Sequence, residues 1–291
     1  MEVDLWGNPI EGSKLLKDRF IEPPFSILDT KTGHWLGRKN KWKGLGIRSE
    51  VGRSAKTYHM KEWADKKHDS NELSGLQTSS DTSIFDPALC ELLYFWFTPP
   101  NGTILDPFAG GSVRGIVANY LGYHYTGIDI RKEQIDSNIE QAQGILQQDN
   151  QPIYYTGDSN KILDTINKQF DFVFSCPPYA NLEVYSDLQG DISNMEYDDF
   201  MTAYSSIIAK SCRLLKNDCF ACFVVGEVRD NKGNYRGFIP DTINAFKKCG
   251  MKYYNEIIIA KPMTSAAIRA GGNMKSKKIV KVHENALVFK K

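Results

Sequence analysis

From Ile84 onward, apolar segments of strand length alternate with segments that have a helical period. Strands are predicted at residues 103–108, 125–130, 153–157, 170–175, 219–225, 253–260 and 286–290. Helices are predicted at residues 87–97, 112–121, 132–147, 161–167, 198–215 and 241–249. This alternation predicts an α/β fold with a mostly parallel, doubly wound sheet. The last two strands, with no helix predicted between them, indicate an antiparallel hairpin at one edge of the sheet.

The first 83 residues differ from the rest because neither a helical nor a strand period persists in them. The five tryptophans all lie in the first third of the chain: Trp6, Trp35, Trp42, Trp63 and Trp96. Residues 70–83 are rich in Ser and Thr, which is typical of a linker or a mobile loop. We therefore expect a basic, tryptophan-rich N-terminal region at residues 1–83 and an α/β domain at residues 84–291.

The overall composition is that of a soluble globular protein, with 41% hydrophobic and 24% charged residues. The longest apolar runs, such as residues 219–225, are too short to cross a bilayer. The N-terminus lacks the basic start and apolar stretch of a secretion signal. Six cysteines do not make a disulfide scaffold in a chain of 291 residues, so a reducing cytoplasm is the expected location. These features exclude the membrane, collagen-like and disordered classes.

The net charge of +1 conceals two basic segments in the chain. Residues 31–67 contain eleven Lys and Arg against three Asp and Glu, and residues 261–291 contain eight against one. The remainder of the chain is therefore strongly acidic. Two basic segments that flank an acidic body favour a polyanionic partner over a uniformly solvated surface.

The segment after the first strand of the α/β domain has the residues of a ligand-binding loop. It reads Asp106-Pro107-Phe108-Ala109-Gly110-Gly111-Ser112, and its two glycines have no Cβ to keep a ligand away. Ligands of doubly wound sheets bind at the carboxyl ends of the strands. Asp129 ends the second strand, where a carboxylate can accept hydrogen bonds from both hydroxyls of a ribose. Asp158 and Ser159 follow the third strand, within expected reach of an adenine amine.

These residues suit S-adenosylmethionine better than a dinucleotide. The G-x-G-x-x-G spacing of dinucleotide sites is missing, because Gly110 and Gly111 are followed only by Gly115. A carboxylate at Asp106 would repel a pyrophosphate but suits a cationic or amino-bearing ligand. S-adenosylmethionine has a ribose, an adenine, a sulfonium and an α-amino group, and it has no phosphate. It is therefore the expected cofactor.

The strand at residues 170–175 runs directly into Cys176-Pro177-Pro178-Tyr179. Together with the loop at residues 106–112, this tetrapeptide resembles the amino-methyltransferases of DNA, which methylate N6 of adenine or N4 of cytosine. The resemblance covers about residues 84–291, and the cofactor loop precedes the tetrapeptide, as in the group with an unpermuted sheet. The sequences at residues 176–187 and 224–230 are similar to methylases carried by phages and mobile elements.

The resemblance implies a Rossmann-like methyltransferase fold that uses S-adenosylmethionine and acts on a base extruded from double-stranded DNA. It implies neither a membrane nor an obligatory protein partner. The expected catalytic residues are Cys176, Pro177, Pro178 and Tyr179. The expected cofactor residues are Phe85, Asp106, Phe108, Ala109, Gly110, Gly111, Asp129, Ile130, Asp158 and Ser159.

The chemistry of amine methylation explains why such a tetrapeptide is useful. An exocyclic amine on a base is a poor nucleophile because its lone pair is delocalised into the ring. Two acceptors that face its N–H groups favour a tetrahedral nitrogen, and the side chain at position 176 and the carbonyl of Pro177 are the expected acceptors. The double proline fixes the turn, and Tyr179 offers a ring on which the base can stack. The reaction needs no metal and no covalent intermediate.

Cys176 departs from the family pattern, in which this position usually holds Asp, Asn or Ser. A thiol sulfur accepts hydrogen bonds weakly. Three interpretations stay open: a softer acceptor suffices, a nearby group compensates, or the protein has lost its chemistry. Two other functions also stay open, namely methylation of a protein glutamine, as by release-factor methyltransferases, and an inactive module that binds both cofactor and DNA.

The remaining cysteine patterns are weaker signals. Cys219 and Cys222 point to opposite faces of a strand, and no second pair completes a zinc site, so no metal is expected. Carbon-5 methylation of cytosine needs a nucleophilic cysteine that usually follows a proline, whereas here Cys176 precedes one.

The two basic segments supply the expected DNA contacts. These are Arg38, Lys39, Lys41, Lys43, Arg48 and Arg53 in the first segment, and Arg269, Lys275, Lys277 and Lys278 in the second. Trp35 and Trp42 either stack on nucleic acid or anchor the N-terminal region to the sheet. Residues 262–282 are expected to form a target-recognition loop, which its glycines make mobile without DNA.

Overall fold

The computed structural model describes residues 21–48, 85–179, 186, 188, 190–261 and 264–291. The strands in this part of the chain are β1 (Ile27–Asp29), β2 (Thr103–Asp106), β3 (His124–Asp129), β4 (Ile153–Thr156), β5 (Phe170–Ser175), β6 (Leu215–Val225), β7 (Lys252–Ala260) and β8 (His283–Lys290). The α-helices there are α1 (Gly33–Gly44), α2 (Pro87–Phe97), α3 (Val113–Tyr120), α4 (Lys132–Ile145), α5 (Ser159–Thr165), α6 (Tyr197–Leu214), α7 (Phe238–Lys248) and α8 (Thr264–Lys275).

The strands form a single sheet in the order β1-β7-β8-β6-β5-β2-β3-β4. Strand β8 is antiparallel to both of its neighbours, β6 and β7, and the other strand pairs are parallel. Helices cover both faces of this sheet, so the predicted α/β, Rossmann-like fold with a mostly parallel, doubly wound sheet is confirmed. The change in strand order lies between β2 and β5, which is where a doubly wound sheet opens a crevice for ligands.

Most elements lie within a few residues of their predicted bounds. Helix α2 matches its prediction to the residue because both ends have strong local signals. Asp86 caps the helix by accepting a hydrogen bond from the backbone N–H of Ala88 at 3.0 Å, and Pro87 occupies the first turn. Strand β5 also matches to the residue, because it is apolar on both faces and Cys176-Pro177-Pro178 ends it.

The core has one layer on each face of the sheet. Side chains of α1, α2 and α3 pack on the first face, against residues such as Phe172 and Phe174. Side chains of α6 and α7 pack on the second face, against residues such as Val173 and Phe223. This alternation along β5 follows from the period of two in a strand. Among the described residues, none of the helices combines the length and the apolar content that a membrane span requires.

Strand β1 and helix α1 were not expected, because the first 83 residues show no persistent period. Helix α1 buries only Trp35 and Trp42, seven residues apart, and its other positions are mostly polar, so its apolar stripe is too thin to recognise. The Trp35 Nε1 donates to Asp86 Oδ2 at 3.1 Å, and the Trp42 Nε1 donates to Glu91 Oε2 at 2.8 Å. Both tryptophans therefore anchor this region to α2, as the packing interpretation proposed.

The β7–β8 hairpin is confirmed, but two details differ from the prediction. Helix α8 lies between the two strands, within residues 262–282 that were expected to form a loop. Gly271 and Gly272 lower the helix propensity of this segment, which hides it in the sequence. In addition, β1 pairs in parallel with β7, so β1 forms the outer edge of the sheet. The predicted linker at residues 70–83, together with Trp6 and Trp63, lies outside the described residues.

Candidate functional site

A cavity of about 460 Å³ lies at the carboxyl ends of the central strands. Eight predicted cofactor residues line it: Phe85, Phe108, Gly110, Gly111, Asp129, Ile130, Asp158 and Ser159. The four predicted catalytic residues line the same cavity: Cys176, Pro177, Pro178 and Tyr179. The fold thus brings together motifs that are about seventy residues apart in the chain, because their strands β2 and β5 are neighbours.

The glycine loop is held in place by Asp129. Gly110 has a φ of 51°, in the left-handed region that favours glycine, and its N–H donates to Asp129 Oδ2 at 2.9 Å. The other oxygen, Oδ1, accepts from the N–H of Arg131 at 2.9 Å. Burial raises the pKa of Asp129, against the lowering effect of Arg131 and of these hydrogen bonds. Each carboxylate oxygen has a second lone pair, so Asp129 can still accept from a ribose hydroxyl.

Asp106 and Ala109 were predicted to contact the cofactor, but neither lines the cavity. Asp106 is fully buried and accepts hydrogen bonds from Arg114 Nε at 2.5 Å, the Tyr125 hydroxyl at 2.6 Å and Ser175 Oγ at 2.5 Å. In the structure its carboxylate is therefore the centre of a buried network that joins β2, β3, β5 and α3. A carboxylate buried without these partners would be strongly destabilising.

Arg114 was missed by the sequence analysis and connects this network to the loop. Its guanidinium donates to the carbonyls of Phe108 at 2.5 Å and Ala109 at 2.9 Å, and it lies 4.8 Å from the ring centroid of Phe85. The guanidinium also lines the cavity. The only local signal was its position one turn after the glycines, which many exposed arginines share.

The turn after β4 begins a capped helix, α5, in the wall of the cavity. Asp158 Oδ1 accepts from the N–H of Asn160 at 2.8 Å and caps α5, while Ser159 Oγ donates to the carbonyl of Pro107 at 2.6 Å. Ser159 therefore ties this turn to the loop after β2. Gly190 and Asp191, which the sequence analysis did not select, complete this side of the cavity.

The tetrapeptide follows β5 directly, and its cysteine is largely enclosed. Burial raises the pKa of Cys176 to about 11, with a smaller lowering effect from Arg114. The thiol is therefore protonated at neutral pH, which makes it both a weak acceptor and a poor nucleophile. Its Sγ lies 3.9 Å from the Tyr179 hydroxyl, and the Tyr179 ring packs edge-on against Phe238 with centroids 6.2 Å apart.

The wall on the β7 side of the cavity contains charged residues, of which only Lys39 was predicted to have a function, as a DNA contact. Lys39 of α1 pairs with Asp86 at 3.1 Å, and Lys261, just after β7, pairs with Glu284 of β8. All four side chains line the cavity. They come from three distant parts of the chain, so no local pattern marks them.

The residues predicted to contact DNA have different surroundings. The Arg38 guanidinium pairs with the buried Glu91, and Lys39 faces the cavity. Lys278 is half-buried, and Arg53 lies outside the described residues. The exposed members of the set are Lys41, Lys43, Arg48, Arg269, Lys275 and Lys277.

The chemistry of the cavity fits S-adenosylmethionine. Asp129, Asp158 and Asp191 present carboxylates suited to the hydroxyl and amino groups of that molecule. Arg114 and Arg131 also line this wall, but each lies close to a carboxylate, that of Asp106 and that of Asp129, respectively. Because their charges are balanced in this way, the wall is a poor binding site for a phosphate. Within the described part of the chain, no group of three or more His, Cys, Asp and Glu side chains could hold a metal ion.

The sheet order and this cavity agree with the expected Rossmann-like fold that opens a ligand site at the carboxyl ends of its strands. Residues 27–141 match the family model described as DNA methylase, which agrees with the resemblance to the amino-methyltransferases of DNA over that part of the chain. The match extends from β1 to α4, so it contains the cofactor loop and ends before Cys176. The comparison with curated proteins finds no match.

Several solved structures are similar to this chain. TrmN from Thermus thermophilus is 13% identical with a TM-score of 0.46, over 70% of this chain and 48% of its own. Magnesium protoporphyrin IX methyltransferase from Synechocystis PCC 6803 with bound SAM is 12% identical with a TM-score of 0.48, over 83% and 95%. A candidate DNA modification methylase, also from Thermus thermophilus, is 20% identical with a TM-score of 0.35, over 46% and 50%. The chain thus spans about half the length of two of these proteins.

Proposed function

We propose that this protein transfers a methyl group from S-adenosylmethionine to the exocyclic amine of a base extruded from double-stranded DNA, at N6 of adenine or N4 of cytosine. One observation carries the proposal. The residues at 176–179, which the family resemblance assigns to the target amine, line the same cavity as Gly110 and Asp129. A base and a cofactor can therefore meet there.

The chain's own residues have defined tasks in this proposal. The bound cofactor would supply an electrophilic methyl group on sulfur. The bond from nitrogen to the methyl group would form as the bond from sulfur breaks, and the amine would then lose one N–H proton to solvent. The carbonyl of Pro177 accepts from one N–H of the target amine and helps to restore the lone pair on nitrogen. The ring of Tyr179 supports the base by stacking, a contact that tolerates either purine or pyrimidine. Rate enhancement comes from positioning and from preorganised acceptors, as the fixed Pro177-Pro178 turn permits.

The strand order supports an approach of DNA to this edge of the sheet. Because β1 and β7 are parallel neighbours, α1 and the segment containing α8 both leave the sheet at its carboxyl edge. Thr30 Oγ1 donates to the carbonyl of Ala260 at 2.6 Å, which joins the two exits. Both basic segments therefore begin beside the cavity, although more than 200 residues separate them in the chain. Exposed lysines in these segments are suited to phosphate contacts.

The test is methylation of DNA by the purified protein with methyl-labelled S-adenosylmethionine, followed by mass spectrometry of the nucleosides. We expect a labelled N6-methyladenine or N4-methylcytosine, and the product identifies the base. Tyr179→Ala should slow the reaction without loss of cofactor affinity. Tyr253→Ala should not slow it, because Tyr253 lies at the amino end of β7 and does not line the cavity.

Protein and RNA substrates are assayed in parallel. Label on a protein glutamine alone would favour the release-factor type of activity over the proposal. Cofactor and DNA binding without any transfer would indicate an inactive module. Either result would overturn the proposed reaction, because the wild-type protein is the one assayed.

A further inference from the structure

An ion pair in the cavity has no role in the site described so far. Lys261 Nζ donates to Glu284 Oε1, and both side chains line the cavity. Glu284 is the second residue of β8 and lies opposite Ile259 of β7, which also lines the cavity. The side chain of Glu284 is 24% exposed and that of Lys261 is 39% exposed, so a ligand in the cavity can reach both.

The register places Glu284 on the same face of the sheet as Cys176. Phe174 pairs with Cys222, Cys222 pairs with Val288, and all three belong to the core layer of the first face. Glu284 lies four residues before Val288 in an antiparallel strand, so it shares this face and lies closer to the carboxyl edge. Cys176 lies beyond Phe174 towards the same edge and packs on the same layer. The charges of Glu284 and Lys261 both act on its thiol, raising and lowering its pKa, respectively.

We propose that Glu284 supplies the oxygen acceptor for the target amine that Cys176 does not supply. This assignment rests on the proposed function. It makes Glu284 a catalytic residue in contact with the base, with the carbonyl of Pro177 as the other acceptor. A carboxylate forms a charge-assisted hydrogen bond with an N–H group, which a protonated thiol cannot match.

Lys261 completes the recognition of the base. In both adenine and cytosine the exocyclic amine is next to a ring nitrogen that accepts a hydrogen bond. Glu284 can accept from the amine while Lys261 donates to the ring nitrogen, so the pair matches this arrangement. Guanine and thymine have a carbonyl and a ring N–H at these positions. Their carbonyl would face the carboxylate of Glu284, acceptor against acceptor, and their N–H would face the ammonium of Lys261, donor against donor. The pair therefore selects amino bases by disfavouring keto bases.

The experiment compares rates of DNA methylation, cofactor affinity and melting temperature for wild type, Glu284→Ala, Glu284→Gln and the double variant Cys176→Asp with Glu284→Ala. We expect Glu284→Ala to lower kcat roughly tenfold or more, the loss of one transition-state hydrogen bond. Cofactor affinity should stay unchanged, and Glu284→Gln should fall between wild type and Ala. In the double variant, Asp at position 176 should restore most of the lost rate, since it returns a carboxylate to the amine.

Glu256→Gln is the matched control. Glu256 is an exposed carboxylate on the same hairpin, it accepts from Asn285 at 2.6 Å, and it does not line the cavity. If Glu284 merely stabilised the hairpin, Glu284→Ala would lower the melting temperature, and Asp at position 176 would not restore the rate. Wild-type-like kcat in Glu284→Ala, or a slow Glu284→Ala that Cys176→Asp does not rescue, would overturn this assignment alone. Failure of wild type to methylate DNA would overturn the proposed function as well.

Discussion

At the residue scale, Asp129 holds the backbone of Gly110, and we propose that it also offers acceptors to the ribose of the cofactor. Asp129→Ala should weaken S-adenosylmethionine binding by about 1.5–3 kcal/mol, the range for hydrogen bonds to charged groups. Isothermal titration calorimetry measures this change. Asp136→Ala is the control, because Asp136 pairs with Lys132 on the exposed surface of α4. Unchanged affinity in Asp129→Ala would mean that the ribose is held by other groups.

Cys176 and Cys249 should differ in reactivity because their surroundings shift their pKa values in opposite directions. Burial raises the pKa of Cys176 to about 11, whereas a hydrogen bond with Cys212 lowers the pKa of Cys249. The thiolate is the reactive form, so iodoacetamide at pH 7.5 should modify Cys249 well before Cys176. Modification of Cys176 should accelerate as the pH rises towards 11. Peptide mass spectrometry over time follows both sites, and fast modification of Cys176 at neutral pH would contradict its enclosed, protonated state.

At the scale of elements, Asp171 joins three strands at the amino edge of the sheet. Asp171 lies on β5, and its carboxylate accepts two hydrogen bonds from Thr103 of β2, one from the backbone N–H at 2.9 Å and one from Oγ1 at 2.8 Å. It also accepts from Lys216 Nζ of β6 at 2.7 Å. Burial raises the pKa of Asp171, but the hydrogen bonds from Lys216 and Thr103 outweigh it, and the net shift is downward. The carboxylate therefore stabilises the fold above the unfolded pKa of about 3.9, and this contribution is lost as the pH falls through the folded pKa.

Asp171→Asn should accordingly lower the free energy of unfolding near pH 6, by about 1–3 kcal/mol for the weakened hydrogen bonds. The difference between wild type and variant should shrink below about pH 4, where the wild-type carboxyl becomes protonated as well. Urea unfolding at a series of pH values measures both. Asp218→Asn serves as the control, because Asp218 is 88% exposed in its pair with Lys290. A difference that does not change with pH would show that the charge of Asp171 is irrelevant.

The contact between α1 and α2 depends on the ion pair of Arg38 and Glu91, although Arg38 was predicted to contact DNA. Glu91 is fully buried and accepts from Arg38 Nε at 2.6 Å and from Trp42 Nε1 at 2.8 Å. Arg38→Ala would leave a buried carboxylate without its cation and should destabilise the protein by about 3–5 kcal/mol. Lys41→Ala, one turn away on the exposed side, should change stability by less than about 0.5 kcal/mol. Equal melting temperatures for the two variants would contradict this assignment.

At the scale of the whole molecule, the two basic segments should act as one DNA-binding surface. Replacing Lys41, Lys43, Lys275 and Lys277 together by Ala should lower DNA affinity and flatten its dependence on salt, by about one unit of slope per lost phosphate contact. Fluorescence anisotropy at several salt concentrations gives the slope. Lys247 and Lys248 provide the control, because they are exposed at the end of α7 on the opposite edge of the sheet. An unchanged slope would place the DNA elsewhere.

The amino-acid sequence by itself determined strands β2 to β8, helices α2 to α7 and the two motifs of the cavity. Local signals sufficed there, because the Asp86-Pro87 cap, the apolar β5 and the glycines at 110 and 111 depend on their immediate neighbours. Strand β1 and helix α1 were beyond local reasoning, since β1 has three residues and α1 buries only two tryptophans.

Only the tertiary structure decided which charges are buried, paired or open to the cavity. Asp106 was predicted to contact the cofactor and Arg38 to contact DNA, but packing pairs them with the buried Arg114 and Glu91, respectively. A buried charge without a partner is strongly destabilising, so these pairs hold the fold together. Lys261 and Glu284 meet in the cavity because β7 and β8 pair as a hairpin beside β6. Proximity of this kind depends on strand order, and no spacing along the chain encodes it.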